Sequence, residues 1–308
     1  AIKDNIDFLK QKNLSFSTIE SCLHVLSSEP DSLKDMYDYV EENYGKESIN
    51  KSTSVLSCPK DLVIAVEELG LNKDWNLLIT SCIEFGFTTL EEIENIVNSI
   101  EFKKYPELFT SQTLAYAKIE DIQEMIDSQE FKKYPELFTS TTLAHGSIKE
   151  IQEMINSEEF KKYPKLFTSQ TLAHAKIEDI QKLLQMPYWN DIRYKDLLTS
   201  SVAAKSKQMI TKLPVLFKMA EYYKIDGYLN TSFLLFSPSQ NFALINYLND
   251  NNMPLIENDK LNMVFGKQPG VLKKKYGIDI KEQMLKYDFS KFSFGEDTKK
   301  GGSKNAVR

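Results

Sequence analysis

Ring-bearing side chains recur every 29 residues in the middle of this chain. Tyr116, His145 and His174 occupy equivalent positions, and Lys118 and Lys176 follow two of them after one intervening residue. Aromatic and imidazole rings can stack on nucleobases, and neighbouring lysines can contact phosphates, so the pattern is typical of a nucleic-acid-binding surface. A protein partner would suit the same side chains equally well. An exposed element that varies freely would also produce them.

The candidate contact residues are the positions that differ between otherwise near-identical copies of a 29-residue unit. They lie on or just after one short element of each copy, where a repeat protein that reads its ligand unit by unit would vary. The set comprises Gln112, Tyr116, Lys118, Thr141, His145, Ser147, Gln170, His174 and Lys176.

Lysines supply a second group of candidates. Each copy has a lysine pair after its first phenylalanine, and stacked copies would align these pairs as a ridge able to bind phosphates. The alternative is a solvated face in which the lysines pair with neighbouring glutamates. The pairs are Lys103-Lys104, Lys132-Lys133 and Lys161-Lys162, and the candidates nearer the C-terminus are Lys205, Lys207, Lys273, Lys274 and Lys275.

Charge is distributed unevenly along the chain. Residues 1–190 carry 19 Lys and Arg against 32 Asp and Glu, a balance of −13, and residues 191–308 carry 19 against 12, a balance of +7. The net charge of −6 alone argues against a polyanionic partner. The uneven distribution of charge, however, indicates that residues 191–308 could face a polyanion.

Nothing in the sequence predicts catalysis. The chain has no glycine-rich phosphate loop, no H-E-x-x-H or G-x-S-x-G motif and no Cys/His nucleophile pair. We therefore expect a protein that is not an enzyme and that has no catalytic residue, metal site, cofactor or small-molecule substrate. Cys22, Cys58 and Cys82 lack C-x-x-C spacing and are expected to be reduced, mostly buried thiols of an intracellular protein.

The repeat itself predicts the architecture. Its copies begin at Phe102, Phe131 and Phe160, and a fixed period of 29 residues is the signature of stacked helical units. In the middle copy we expect a short helix ending at Lys133, a bend with a fresh start at Pro135, a short helix capped by Thr139-Ser140, and an amphipathic helix bearing Ile148, Ile151, Met154 and Ile155. Leu137 and Phe138 are expected to lie in the core.

Weaker copies extend the pattern in both directions. They are marked by Thr80-Ser81, Ser200-Ser201 and Thr231-Ser232, each followed by an apolar helical pattern. The sequence thus predicts an all-α fold, a right- or left-handed α-solenoid of about eight short repeats with a period of about 29–32 residues. We expect an N-terminal helical cap or degenerate repeats over 1–50, the solenoid over 51–260, a C-terminal cap over 261–288 and a flexible tail over 289–308.

The segment YPELFTS at residues 134–140 resembles the repeat of the mitochondrial transcription termination factor (mTERF) family. Repeats of that family carry a Pro-x-Leu-Leu bend followed by a serine and an amphipathic helix. Here the bend recurs at Pro106, Pro135 and Pro164, and the resemblance covers about residues 50–275. It implies an all-α left-handed superhelix whose concave face binds duplex nucleic acid or structured RNA. Other helical repeats of similar length share the apolar pattern.

These observations favour a non-enzymatic helical-repeat protein that binds DNA or RNA through its repeat surface and its basic C-terminal part. The alternative is a protein-interaction scaffold with an acidic repeat surface. No stretch approaches the roughly 20 apolar residues of a membrane span, so we expect no membrane partner and an intracellular location. That location would be cytoplasmic for a bacterial protein. Because the chain begins with Ala1, an organelle is the alternative if a targeting segment was removed.

Overall fold

The computed structural model describes residues 1–21, 23–71 and 73–293. Cys22 and the predicted tail from residue 294 onward lie outside the described residues. The described part is all-α, as the sequence predicts, apart from one short antiparallel hairpin of β1 (Ile256–Glu257) and β2 (Lys260–Leu261). The chain divides into two compact units, Ala1–Ile148 and Lys149–Arg308, of which the second is described as far as residue 293.

The first unit is built from short helices joined by 3₁₀ turns. Its 3₁₀ helices are Leu23–Ser27, Thr53–Ser57, Pro106–Leu108 and Pro135–Leu137. Its α-helices are α1 (Ile2–Gln11), α2 (Phe16–Ser21), α3 (Pro30–Tyr44), α4 (Lys46–Lys51), α5 (Lys60–Glu68), α6 (Lys73–Glu84), α7 (Leu90–Asn98), α8 (Ile100–Lys104), α9 (Ser111–Tyr116), α10 (Ile119–Asp127), α11 (Gln129–Lys133) and α12 (Ser140–His145).

Helix α13 (Ile148–Ile155) begins at the last residue of the first unit, and the second unit contains the remaining elements. The 3₁₀ helices there are Pro164–Leu166, Pro187–Asn190, Lys195–Leu197, Asp226–Tyr228 and Phe289–Lys291. The α-helices are α14 (Glu158–Lys162), α15 (Ser169–His174), α16 (Ile177–Leu184), α17 (Ser200–Ala203), α18 (Ser206–Tyr222), α19 (Thr231–Leu235), α20 (Pro238–Asp250), α21 (Pro269–Tyr276) and α22 (Ile280–Lys286).

The bend predicted inside each repeat copy is confirmed. In the middle copy α11 ends at Lys133, and a 3₁₀ helix starts at Pro135. Tyr134 between them has φ −136° and ψ 57°, because a residue that precedes proline avoids the helical region. The short helix that follows starts at Ser140, next to its N-cap residue Thr139.

A serine between the helices joins consecutive copies. Ser128 Oγ accepts a hydrogen bond from Phe131 N at 3.0 Å and donates one to Met125 O at 2.7 Å. Ser157 makes the same two bonds one copy later, and Ser99 accepts from Phe102 N at 3.1 Å. One serine hydroxyl therefore donates to a backbone carbonyl at the end of one helix and accepts from a backbone N–H at the start of the next.

The repeat core is formed by large apolar side chains. Ile151, Met154 and Ile155 are buried, as their spacing predicts. Phe138 is 1% exposed, and its ring centroid lies 5.4 Å from that of Phe131. Leu137, predicted to lie in the core, is only partly buried, whereas its repeat equivalent Leu166 is buried after the same 3₁₀ turn.

Within each unit, successive short helices pack on one another. Helix α9 contacts α6 and α12 in the first unit, and α17 contacts α15 and α19 in the second. In the near-identical copies, a buried threonine lies in each of the helices α9, α12 and α15. Thr113 Oγ1 donates to Leu108 O at 2.9 Å and lies 3.4 Å from Ser140 O of the next copy, which ties the bend of one copy to its neighbour.

The weaker copies follow the pattern unevenly. Ser200 and Thr231 begin α17 and α19, as their equivalence to the repeat predicts. Thr80 and Ser81, in contrast, lie inside the long helix α6, where the Thr80 hydroxyl donates to Asn76 O.

The start of the predicted tail belongs to the second unit's core. Residues Phe289–Lys291 form a 3₁₀ helix. The rings of Phe289 and Phe292 lie 5.3 and 4.6 Å from that of Phe242, measured between centroids. The packed structure therefore includes Phe292, because these aromatic side chains cover the apolar face of α20.

Candidate anion-binding groove

Five of the sequence-predicted candidates meet in one groove of the second unit. The groove has a volume of about 530 Å³ and lies between the end of α15, the start of α16 and the start of α18. Its polar lining includes Gln170, His174, Lys176, Lys205 and Lys207. The tertiary structure thus joins two repeat candidates from α15 with two lysines that lie more than thirty residues further along the chain.

Burial of the opposite helix faces orients these side chains. On α15, Leu172 and Ala173 are buried, so Gln170 and His174, four residues apart, lie on one exposed face. On α18, Ser206 and Met209 are buried, and this leaves Lys207 on the groove side.

The groove carries an excess of positive charge. Asp179 is its acidic lining residue, against three lysines, and its Oδ1 lies 3.8 Å from Lys182 Nζ. Burial lowers the pKa of Lys212, and the nearby charge of Lys205 lowers it further. The contribution of Lys205 means that its ammonium group lies close enough to Lys212 for the two charges to repel each other.

The N-terminus of α18 adds to the positive electrostatic potential of the groove. The helix is 17 residues long, and its N-terminus adds partial positive charge and backbone N–H donors. Within the described residues, the buried Ser206 hydroxyl at this helix start has no hydrogen-bond partner. An anion is the ligand that this combination of lysines and helix terminus would stabilise.

Lys176 is already engaged with the protein. Its Nζ lies 3.0 Å from Glu150 Oε1, and this hydrogen bond raises the pKa of Lys176. Lys118 occupies the same repeat position, and its charge contributes to the lowered pKa of Glu92, whose main cause is hydrogen bonding to Thr89. Both lysines therefore also link neighbouring helices electrostatically.

The remaining ring-bearing candidates form a row in the first unit. The Tyr116 ring lies 5.3 Å from the His145 ring and 5.7 Å from the Phe87 ring, measured between centroids. Gln112 Nε2 is 2.8 Å from His145 Nε2. Phe87 is 57% exposed and was missed, because a lone phenylalanine in a turn has no repeat spacing to mark it. Elsewhere in the set, Thr141 is partly buried on α12 and Ser147 is exposed beside the start of α13.

The C-terminal lysines do not line the groove. Lys273, Lys274 and Lys275 follow one another in the last turn of the eight-residue helix α21, so they project about 100° apart around its axis. Lys273 Nζ lies 2.9 Å from Asp279 Oδ2, and Lys275 Nζ lies 5.6 Å from the centroid of the Tyr276 ring. Their position also stabilises the helix C-terminus through its dipole.

No protein-family model, curated protein or solved structure matched this chain. In the part that the structure describes, no cluster of three or more His, Cys, Asp or Glu is placed to hold a metal ion. None of the described helices combines the length and apolar character needed to cross a bilayer.

Proposed function

We propose that this protein is a non-enzymatic helical-repeat protein that binds nucleic acid, with the groove of its second unit as a phosphate contact. The observation that carries the proposal is the convergence of Lys176, Lys205 and Lys207 with His174 and Gln170. Lysines that line a groove attract a phosphate backbone, and amide and imidazole groups offer hydrogen bonds to sugars and bases.

The charge pattern around the groove supports this proposal. From Leu197 to Ala220 the chain carries lysines at 205, 207, 212 and 218 and no acidic residue. Such a local excess of one sign raises the local concentration of an oppositely charged ligand even when the net charge of the chain is negative.

We also propose that the repeats stack as an α-solenoid of about eight units. In support, consecutive short helices pack side by side within each unit, and buried threonines approach the backbone of the neighbouring copy. The mTERF-like YPELFTS segment supports the same arrangement, since that resemblance implies a superhelix that binds nucleic acid.

The proposal is tested with a charge-reversed groove. The double variant Lys205→Glu/Lys207→Glu should lower affinity for labelled RNA or DNA at least tenfold at about 50 mM salt. Lys267→Glu/Lys281→Glu is the matched control, because both lysines are exposed in the same unit and the change in net charge is the same. The control should keep most of the wild-type affinity. Equal losses in both variants, or no wild-type binding to single-stranded and duplex probes, would refute the proposal.

The second candidate function is a protein-interaction scaffold, and the ring row of the first unit favours it. Phe87 is 57% and Tyr116 is 47% exposed. Residues 1–148 carry 13 Lys and Arg against 26 Asp and Glu, so this unit suits a basic partner better than a nucleic acid. In that case Phe87→Ser/Tyr116→Ser should abolish capture of a basic protein that the wild type retains after nuclease treatment.

A further inference from the structure

A second groove in the second unit combines aromatic rings with lysines. It has a volume of about 520 Å³, and Tyr163, Trp189, Lys162, Lys165 and Lys195 contribute to its lining. The Tyr163 side chain is 36% exposed. Trp189 is partly buried, and its Nε1–H donates to Leu183 O at 2.6 Å, which fixes the orientation of the indole.

The same groove exists two repeats earlier, in the first unit. There it has a volume of about 450 Å³ and is lined by Tyr105, Phe131 and Lys104, among others. Tyr105 and Phe131 are the repeat equivalents of Tyr163 and Trp189. In both grooves the preceding lysine lies over the tyrosine ring, at 5.0 Å for Lys104 and 5.2 Å for Lys162. The two grooves are therefore one repeated structure with different linings.

The two grooves differ in the charge of their lining residues. The first has Glu107 and Asp127 in its lining, and these carboxylates offset its lysines. The second has three lysines and no acidic residue among its lining residues. Across the segment FKKYPELFTS, the copies at 102–111 and 131–140 are identical, and the copy at 160–169 differs only at Lys165. The substitution that distinguishes this copy therefore adds a positive charge to the groove.

We propose that the groove of Tyr163 and Trp189 takes an unpaired nucleobase, so that the preferred ligand of this protein is a single-stranded nucleic acid. This inference rests on the proposed function. The aromatic side chains provide a stacking surface, and Lys162, Lys165 and Lys195 lie where the flanking phosphates would need positive charge. A base paired inside a duplex is stacked between its neighbours and cannot enter such a groove without being extruded.

The test uses three probes that carry the same number of phosphates: a single-stranded oligouridylate, an abasic oligonucleotide and a duplex. Tyr163→Ala should lower affinity for the single strand at least fivefold and leave affinity for the abasic probe unchanged, because only stacking is lost. Lys165→Glu should weaken binding of both the single strand and the abasic probe. This variant restores the residue found in the other two copies, so a folding defect is not expected to account for the loss.

Equivalent substitutions in the first unit serve as controls. Tyr105→Ala removes the same side chain from the groove of the first unit, whose lysines are offset by carboxylates, and should leave the affinity for every probe unchanged. In a Trp75→Phe background, Trp189 is the remaining one of the chain's two tryptophans. Its fluorescence should be quenched by the single strand and not by the abasic probe.

The results also distinguish this inference from the function on which it rests. If Lys205→Glu/Lys207→Glu abolishes binding while Tyr163→Ala and Lys165→Glu have no effect, the proposed function stands and the base-binding groove is refuted. Equal loss for the abasic probe on Tyr163→Ala, tighter binding of the duplex, or Trp189 quenching by an acidic peptide in place of the single strand would also refute it. Failure of the wild type to bind any of the three probes would overturn both proposals.

Discussion

At the scale of single residues, burial determines the reactivity of the described thiols. Burial raises the pKa of the Cys58 thiol to about 12, with a smaller contribution from the charge of Glu84. Burial also raises the pKa of Cys82. Neither environment resembles that of a reactive cysteine, whose pKa is lowered by nearby positive charge.

Cys58 should therefore resist alkylation in the native protein. A thiol of pKa about 12 holds roughly one thiolate in 10⁴ molecules at pH 8. We expect iodoacetamide to modify Cys58 slowly at pH 8, and faster as the pH is raised, because the thiolate is the reactive form. Peptide mapping after timed labelling measures this. Labelling as rapid as in urea would show that Cys58 is not buried in solution.

Gly266 is a position where only glycine fits. Its φ is +84°, and a Cβ atom added to it would lie 2.2 Å from Ser232 Cβ. Gly266→Ala should lower the free energy of unfolding by about 3 kcal/mol or more, because backbone strain and steric overlap add. The control is Gly270→Ala, since Gly270 has no atom within 4 Å of the added Cβ and lies in α21. It should be neutral or slightly stabilising in urea unfolding.

At the scale of elements, the short helices depend on their end contacts more than on their length. Helices of five or six residues are unstable in isolation, because nucleation costs more than a few backbone hydrogen bonds return. In the near-identical copies, a serine at each junction and a buried threonine in each six-residue helix provide additional hydrogen bonds. Thr142 Oγ1, for example, donates to Leu137 O at 2.7 Å.

Removal of one junction serine should have a measurable cost. Ser128→Ala deletes the acceptor for Phe131 N and the donor to Met125 O, and we expect a loss of about 1–2 kcal/mol in the free energy of unfolding. Thr139→Ala is the comparison, because Thr139 is an N-cap residue whose side chain makes no capping bond. Equal losses in both variants in denaturant titrations would contradict the role given to Ser128.

At the scale of the whole molecule, the proposed solenoid makes a prediction that a compact globule does not. Deletion of residues 131–159 removes one full copy and joins Glu130 to Phe160, which restores the junction sequence in register. If each unit packs only on its neighbours, the shortened protein should fold, with helical content reduced in proportion and a cooperative melting transition. Circular dichroism measures both. A molten or insoluble product would argue against side-by-side stacking.

The charge asymmetry of the chain predicts how binding depends on salt. If three groove lysines neutralise three phosphates of a single strand, the log–log slope of affinity against salt should be about −2. Lys205→Glu/Lys207→Glu should flatten it. A slope near zero would mean that the contacts to the ligand are not electrostatic.

The sequence alone was sufficient for the local structure of the repeat. Pro135 forces a bend, since proline lacks an N–H and restricts Tyr134 before it, and the spacing of Ile151, Met154 and Ile155 defines a buried helix face. These features follow from short-range sterics and helical periodicity, which depend only on neighbouring residues. The all-α class follows from them too.

Tertiary structure decided which candidates share a surface. The sequence ranked Lys273, Lys274 and Lys275 with Lys205 and Lys207, but α21 spreads the first three around its axis and pairs Lys273 with Asp279. Packing of α15 beside α17 brings His174 to the start of α18. Packing buries Phe138 more completely than Leu137. It also places Lys165 and Trp189 in the lining of the same groove. Such outcomes depend on how distant segments pack, and the periodicity of one chain does not contain that information.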